Sequence, residues 1–155
     1  MPRISAGLLM YRLQSGKLDV LLVHPGGPFF AKKDDGTWTI PKGEPDAGEE
    51  LFDAAQREFK EETGFGSSPP FMELTPITQK GGKIVHAWAF AGDVAASQLR
   101  SDTFKLEWPP HSGKVQEFPE MDRAGWFDLP AAKRKMKAAQ IPLLEELQQK
   151  LGANK

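Results

Sequence analysis

Apolar runs of strand length alternate with turn signals along most of this chain, and helical periodicity appears at only two places. Residues 3–12 and 18–24 read as strands joined through Gln14, Ser15 and Gly16. The stretch HPGGPFFAKKDDG, residues 24–36, is rich in proline, glycine and charge and predicts an exposed loop. Residues 37–41 form a short extended segment leading to Pro41, Lys42 and Gly43, and a helix follows over about 48–63. Residues 71–79 and 83–91 flank Lys80, Gly81 and Gly82, a hairpin signal. Residues 103–108 and 114–119 make a weaker strand pair around PPHSG, and 125–128 finish a strand. Helical periodicity returns at 130–139 and 142–151, with Pro142 suited to a first helical position. Leu143, Leu144, Leu147 and Leu151 form an apolar stripe, read as core packing. This order predicts an α/β protein with a mixed sheet between helices, an α/β/α sandwich. With no repeat or low-complexity linker, residues 1–155 are expected to form one domain.

The helix at 48–63 carries an anomaly. With Leu51 as origin, Leu51, Phe52, Ala54, Ala55 and Phe59 define an apolar arc, and Asp53, Gln56 and Lys60 lie opposite. Glu58 and Glu62 fall inside that arc, between Ala54 and Ala55, and Glu61 sits at its edge. Asp46 or Gly48 is expected to cap the helix, and Gly64 to stop it. Inward carboxylates are costly unless paired, hydrogen-bonded or bound to metal. Glu58 and Glu62 are also one turn apart, so their like charges repel. A hard cation such as Mg²⁺ or Mn²⁺ resolves both problems, since it takes carboxylate oxygens and leaves positions for water and phosphate. On spacing alone, a solvated acidic helix whose Arg57 and Lys60 make weak surface pairs is the competing reading.

Composition narrows the partners. The 155 residues carry a formal net charge of −1 with Lys and Arg dispersed, which gives no reason to expect extended nucleic acid or an anionic membrane. Cysteine is absent, so disulfides and thiolate metal sites are excluded. No charged-then-apolar leader follows Met1, and no apolar stretch approaches the roughly 20 residues of a membrane helix. A soluble, cytoplasmic protein is the expectation.

Residues 43–65, GEPDAGEELFDAAQREFKEETGF, resemble the Nudix box. Its fixed positions are filled by Gly43, Glu49, Arg57, Glu58, Phe59, Glu61, Glu62, Gly64 and Phe65. The resemblance implies the Nudix fold and Mg²⁺- or Mn²⁺-dependent hydrolysis of a diphosphate linkage. It implies Glu58 and Glu62 as principal metal ligands, Glu61 as a further ligand and the Gly43 carbonyl as an inner contact. One carboxylate would serve as general base, and the sequence does not say which. The resemblance also assigns Glu49 and Arg57 an orienting role, for which a bidentate arginine–carboxylate pair has the geometry. Spacing alone equally allows two exposed charges without contact. A further metal-binding carboxylate outside the box is expected from Glu117 or Glu120.

Lys42 stands beside Gly43, where a lysine serves as a point charge on phosphate or lies at the surface. In KIVHAWAF, His86 and Trp88 share a face with Ile84 and Phe90 and could stack on a nucleobase or pack in the core. Trp38, Tyr11, Phe29 and Phe30 are alternative stacking residues. The segment TWTIPKG resembles the entry to Nudix enzymes that hydrolyse dinucleoside polyphosphates, although Glu44 stands where histidine is common in that group. The implied substrate is therefore a small nucleotide, first a nucleoside or dinucleoside polyphosphate. ADP-ribose, an RNA 5′ end and an inositol pyrophosphate are the alternatives, as is a non-catalytic nucleotide-binding regulator. The isomerase chemistry on isoprenoid diphosphates expected of the same fold uses a cysteine, which this chain lacks. The family resemblance also allows a homodimer.

Overall fold

A computed structural model describes residues 3–152, so the outermost ends of the expected 1–155 domain lie outside the described residues. Strand β1 (Ile4–Gln14) turns back through Ser15 and Gly16 into β2 (Lys17–Pro25). Both turn residues have positive φ, 56° and 79°, as a two-residue hairpin with native twist requires. The two strands pair only from Tyr11↔Val20 to Gln14↔Lys17.

Beyond that point β1 and β2 diverge, and the segment after the loop fills the opening. Thr39 and Val23 exchange both backbone hydrogen bonds, at 2.9 and 3.0 Å. Two residues later the chain crosses to β1, where β3 (Lys42–Gly43) pairs through Gly7↔Lys42 and Ala6↔Gly43. A Cβ on Gly7 would lie 2.4 Å from the Pro41 carbonyl oxygen, so glycine is what lets the crossing pass. This wedge sets Lys42 and Gly43 in the sheet with their neighbours splayed apart.

The other edge of β1 pairs in parallel with β6 (Ile84–Ala91), from Ile4↔Ile84 to Tyr11↔Ala91, which makes the sheet mixed. On β6 lie β4 (Met72–Glu73) and β5 (Ile77–Thr78). The expected continuous strand over 71–79 is corrected to these two fragments. Glu73 faces Trp88 but Ile77 faces Val85, so one extra residue is accommodated between them. Pro76 has no N–H for a ladder, and the Thr75 N–H donates instead to Glu146 at 2.7 Å. On β2 lies β9 (Met121–Asp128), four residues longer at its start than expected. The pair β7 (Thr103–Glu107) and β8 (Val115–Pro119) forms a separate two-stranded sheet, close to expectation.

Both faces of the main sheet are covered, which explains the unbroken apolar run in β1. Helix α1 (Leu51–Thr63) buries Ala54, Ala55 and Phe59 against Ala6, Leu8, Met10, Leu21 and Phe90. On the opposite face, α2 (Leu129–Lys135) and α3 (Ile141–Leu151) bury Ala132, Leu143, Leu144 and Leu147 against Leu9, Val20, Leu22, Val85 and Ala87. The result is the expected α/β/α arrangement with the C-terminal leucines in the core.

Three local expectations are corrected. Helix α1 starts at Leu51, and neither Asp46 nor Gly48 caps it. Residues 46–49 instead close a turn, in which the Asp46 N–H donates to the Glu49 carboxylate at 2.9 Å and the Glu49 N–H to the Asp46 carbonyl at 3.0 Å. The helix expected over 130–139 ends at Lys135, because extended Met136 bridges to Trp38. The loop expected from residue 24 begins after Pro25, and His24 is fully buried. Its ring lies 2.7 Å from the Lys33 carbonyl and 2.8 Å from the Asp122 carboxylate, tying the loop to β9.

Candidate active site

The site lies where α1 passes the wedge. A cavity of about 280 Å³ has Lys42 and Gly43 on one wall and Glu58, Glu61 and Glu62 on another. Asp102, Thr103 and Glu120 close it from the β7–β9 side. Gly43 is required by close approach: a Cβ there would fall 2.1–2.5 Å from the Glu58 carboxylate atoms. The backbone of β3 thus abuts the glutamates directly, and the Lys42 N–H donates to Glu62 Oε1 at 3.2 Å.

Burial dominates the electrostatics. It pushes the Glu62 carboxyl up to about 8, with the Glu58 charge adding to the effect and the Lys42 N–H opposing it. Burial also raises Glu58, against the pull of Arg57, and raises Glu120, with Asp102 adding to it. The same burial lowers the Lys42 ammonium to about 8, helped by neighbouring lysines.

Arg57 organises the rim. Its Nε donates to Glu49 Oε2 at 3.0 Å and its Nη2 to Glu49 Oε1 at 2.9 Å, a bidentate pair. Its Nη1 donates to Glu58 at 2.9 Å and Glu61 at 3.1 Å, and Nη2 also reaches the Glu44 carbonyl at 3.2 Å. One guanidinium therefore fastens the loop before α1 to two carboxylates on the helix. Glu49 holds the Arg57 guanidinium above its usual range, and Arg57 in turn holds Glu49 below its own.

The remaining expected residues divide. Glu120 lines the cavity, whereas Glu117 does not and instead accepts from the hydroxyl of the cavity residue Thr103 at 2.8 Å. Trp38 is 5% exposed and packs edge-on to Phe127 and His24, with its indole N–H on Asp34. It misses the carboxylate cavity but lines a neighbouring one of about 530 Å³ with Arg100, Met121 and Arg123. That second cavity adjoins the first along Ser101–Thr103 and Pro119–Met121. His86 lines neither; it faces Ala6 on β6, two strand spacings, about 10 Å, from Gly43. Trp88 packs against Phe52.

Asp102 was not foreseen. Its N–H donates to the Glu61 carbonyl and its carbonyl accepts from the Glu120 N–H, both at 2.8 Å, so it joins α1 to the residue between β8 and β9. Nothing in its sequence neighbourhood signals this, because the contact is created by topology well beyond the box in sequence.

The donor set is entirely oxygen and suits a hard cation. The cradle that only glycine leaves open at Gly43, facing two carboxylates whose charge burial opposes, fits such a group. Among the described residues no three acidic or imidazole side chains already converge as a coordination shell. Arg57 holds one oxygen each of Glu58 and Glu61.

Comparison with known proteins gives the site a context. A 58-residue stretch is 43% identical to the asymmetrical bis(5′-nucleosyl)-tetraphosphatase of Caenorhabditis elegans, covering 37% of this chain and 38% of that relative. The match thus spans little more than a third of that protein's length. The structure of a C. elegans Ap4A hydrolase binary complex superposes with a TM-score of 0.65 at 25% identity, over 97% of this chain and 98% of that one. The NUDIX domain of Shewanella oneidensis NrtR complexed with ADP ribose gives 0.65 at 16% identity, over 97% and 89% of the two chains, a likeness of fold. Residues 1–147 match the model of the NUDIX domain, and the chain belongs to the Nudix family.

Proposed function

We propose that the protein is a Mg²⁺- or Mn²⁺-dependent pyrophosphohydrolase acting on a nucleoside or dinucleoside polyphosphate. The observation that carries this reading is a pair of half-buried carboxylates facing β3, Glu58 pressed against Gly43 and Glu62 accepting from the Lys42 N–H. Glu58, Glu62, Glu61 and the Gly43 carbonyl would hold the cation. When bound, it would neutralise phosphoryl oxygens and lower the pKa of a coordinated water.

The chain's own groups do the rest. Arg57 fixes the Glu58 and Glu61 carboxylates, and Glu49 fixes Arg57. Lys42 supplies positive charge to a phosphate on the wedge wall. Glu120, expected from sequence as a further ligand, is better suited to take the proton. Burial makes it more basic, and among the described residues its carboxylate has no hydrogen bond or ion pair. Water oxygen bonds to phosphorus, one bridging P–O bond breaks, the water proton passes to Glu120, and two phosphate-terminated products leave. The adjoining cavity with Trp38, Arg100 and Arg123 would take the nucleoside.

The segment from Trp38 to Gly43 and the likeness to a dinucleoside tetraphosphatase favour the polyphosphate substrate. Among the described residues no helix is long and apolar enough to cross a membrane. The test is product release from diadenosine polyphosphates, nucleoside triphosphates, ADP-ribose, a capped RNA end and a diphosphoinositol, with and without Mg²⁺. Cation-dependent cleavage of the first class is expected. Tight nucleotide binding without any turnover would overturn the enzyme in favour of a regulator.

A further inference from the structure

The hairpin of β7 and β8 stands apart from the main sheet and leaves a strand edge open. The Trp108 N–H donates to the Lys114 carbonyl at 2.9 Å, so these two residues form a hydrogen-bonded pair at the turn end. Such pairs alternate with non-hydrogen-bonded ones along an antiparallel ladder, and Leu106 and Phe104 therefore also turn their backbone groups to β8. Thr103, Lys105 and Glu107 turn theirs away. Pro119 stands opposite Thr103 and agrees with that phase, since it has no N–H to give. Among the described residues no other segment takes the outward N–H and C=O groups of these three. An open edge is a template for another strand, and a lysine such as Lys105 ordinarily blunts it.

Whether Lys105 blocks a strand or welcomes it depends on register. A second copy of β7 related by a two-fold axis pairs antiparallel, and outward residues must meet outward residues to exchange bonds. Centred on Lys105, that ladder sets Lys105 against Lys105. Centred on Phe104, it sets Lys105 against Thr103 and leaves Glu107 opposite Ser101, outside the strand. Centred on Leu106, it sets Lys105 opposite Glu107 twice, Leu106 opposite Leu106, and Phe104 opposite Trp108. Of these registers the last joins opposite charges. Both groups are available for it. Among the described residues the Lys105 ammonium has no ion pair or hydrogen bond, and Glu107 uses Oε2 on the Gly113 N–H at 2.9 Å, leaving Oε1.

An apolar surface lies alongside. Phe104 and Phe118 have ring centres 6.0 Å apart, and Trp108 meets Phe29 edge-on at 5.3 Å. Phe29 is nevertheless 59% exposed, and Leu106 and Trp108 are half-buried. Exposed apolar side chains gathered in this way mark an interaction surface. In the register centred on Leu106, Trp108 carries Phe29 towards the second copy's Phe104.

We propose that the outer edge of β7 is a homodimer interface, at which two copies pair antiparallel about Leu106 into one four-stranded sheet. The open edge and its charges are independent of the reaction catalysed. β7 nevertheless starts at the candidate active site, where Asp102 and Thr103 line the carboxylate cavity, so the second copy would steady that wall. The contact is small, and a dissociation constant on the order of 10–100 µM is expected, as for transient complexes.

Sedimentation equilibrium of the full chain tests the dimer, and single thiols test its register. Lys105→Glu disturbs no bond within the hairpin and turns two attractive cross-strand pairs into repulsive ones, so dimerisation should weaken at least about tenfold. Adding Glu107→Lys to that variant exchanges the charges and should bring affinity back to within about threefold of wild type. The chain has no cysteine, which leaves an introduced thiol without a competitor. Leu106→Cys sets two thiols across the axis in a non-hydrogen-bonded pair, with Cα atoms about 4.5 Å apart and within disulfide reach. Val115 on β8 is 65% exposed and more open to random collision. Under mild oxidation Leu106→Cys should nevertheless crosslink at least about tenfold faster than Val115→Cys, whose thiols lie too far from the axis to meet. A wild type that stays monomeric up to about 300 µM overturns the interface, as does a dimer indifferent to Lys105→Glu. Equal crosslinking of the two thiol variants, or a charge-exchanged variant as weak as Lys105→Glu alone, overturns the pairing about Leu106.

Discussion

Replacing Glu62 by glutamine should make the metal-free protein more stable while abolishing its turnover. The side chain keeps its size and its acceptor for the Lys42 N–H but loses a charge that burial and Glu58 oppose. A carboxyl raised in the folded state favours its protonated form. Its penalty is therefore absent below the unfolded value near 4.5, grows as pH rises, and is complete above about 8. At about 1.36 kcal/mol per pH unit, the ceiling is on the order of 5 kcal/mol. The amide must also be desolvated and the unfolded chain is not fully solvated, so a gain of about 1–3 kcal/mol is expected. For a chain of this size that is roughly 3–10 °C in Tm. The assay is thermal unfolding of wild type and variant in chelator at pH 5.0 and 8.5. The advantage of the variant should be large at pH 8.5 and small at pH 5.0. Added Mg²⁺ should then raise the Tm of the wild type more than that of the variant. A variant less stable than wild type at pH 8.5 in chelator, or a difference that does not change with pH, would refute the argument that this carboxylate is buried at a cost.

Other residues give separate tests. Gly43→Ala places a methyl group within 2.5 Å of the Glu58 carboxylate and should cost about 1–3 kcal/mol of stability by overpacking, with a larger loss in kcat; unfolding and steady-state assays read both. Glu49→Gln removes the charge opposite Arg57 without touching the cavity wall, so kcat should fall less than in Glu62→Gln, and equal losses would contradict the positioning role. Glu120→Gln should lower kcat by about 10²–10⁴-fold and remove the acidic limb of the pH–rate profile. Glu117→Gln, which loses only a charged acceptor for Thr103, should stay within about threefold.

The helix glutamates were legible because a helix has a fixed period: Glu58 and Glu62 had to fall on the apolar face once Ala54, Ala55 and Phe59 were placed there. The Glu49–Arg57 pair was legible only through the family resemblance, since it depends on a loop folding back over two helical turns. The helix start was misplaced because the Glu49 side chain takes the Asp46 N–H and makes a turn of residues that pattern assigns to the helix. The break at Pro76 required knowing the register against β6. Asp102 could not be found from its neighbours, because it reaches the site through a segment placed by the whole sheet. Trp38 read as a candidate stacking residue, but it is 5% exposed, packed against Phe127 and His24 with the Arg123 guanidinium over its ring.

The central claim is that the inward glutamates form a cation site. Electron paramagnetic resonance titration with Mn²⁺, comparing wild type with Glu62→Gln, tests it most directly. Binding should be stoichiometric in the wild type, displaced by Mg²⁺, and at least about tenfold weaker in the variant, for a lost charged ligand. Equal Mn²⁺ affinity in the two proteins would contradict it.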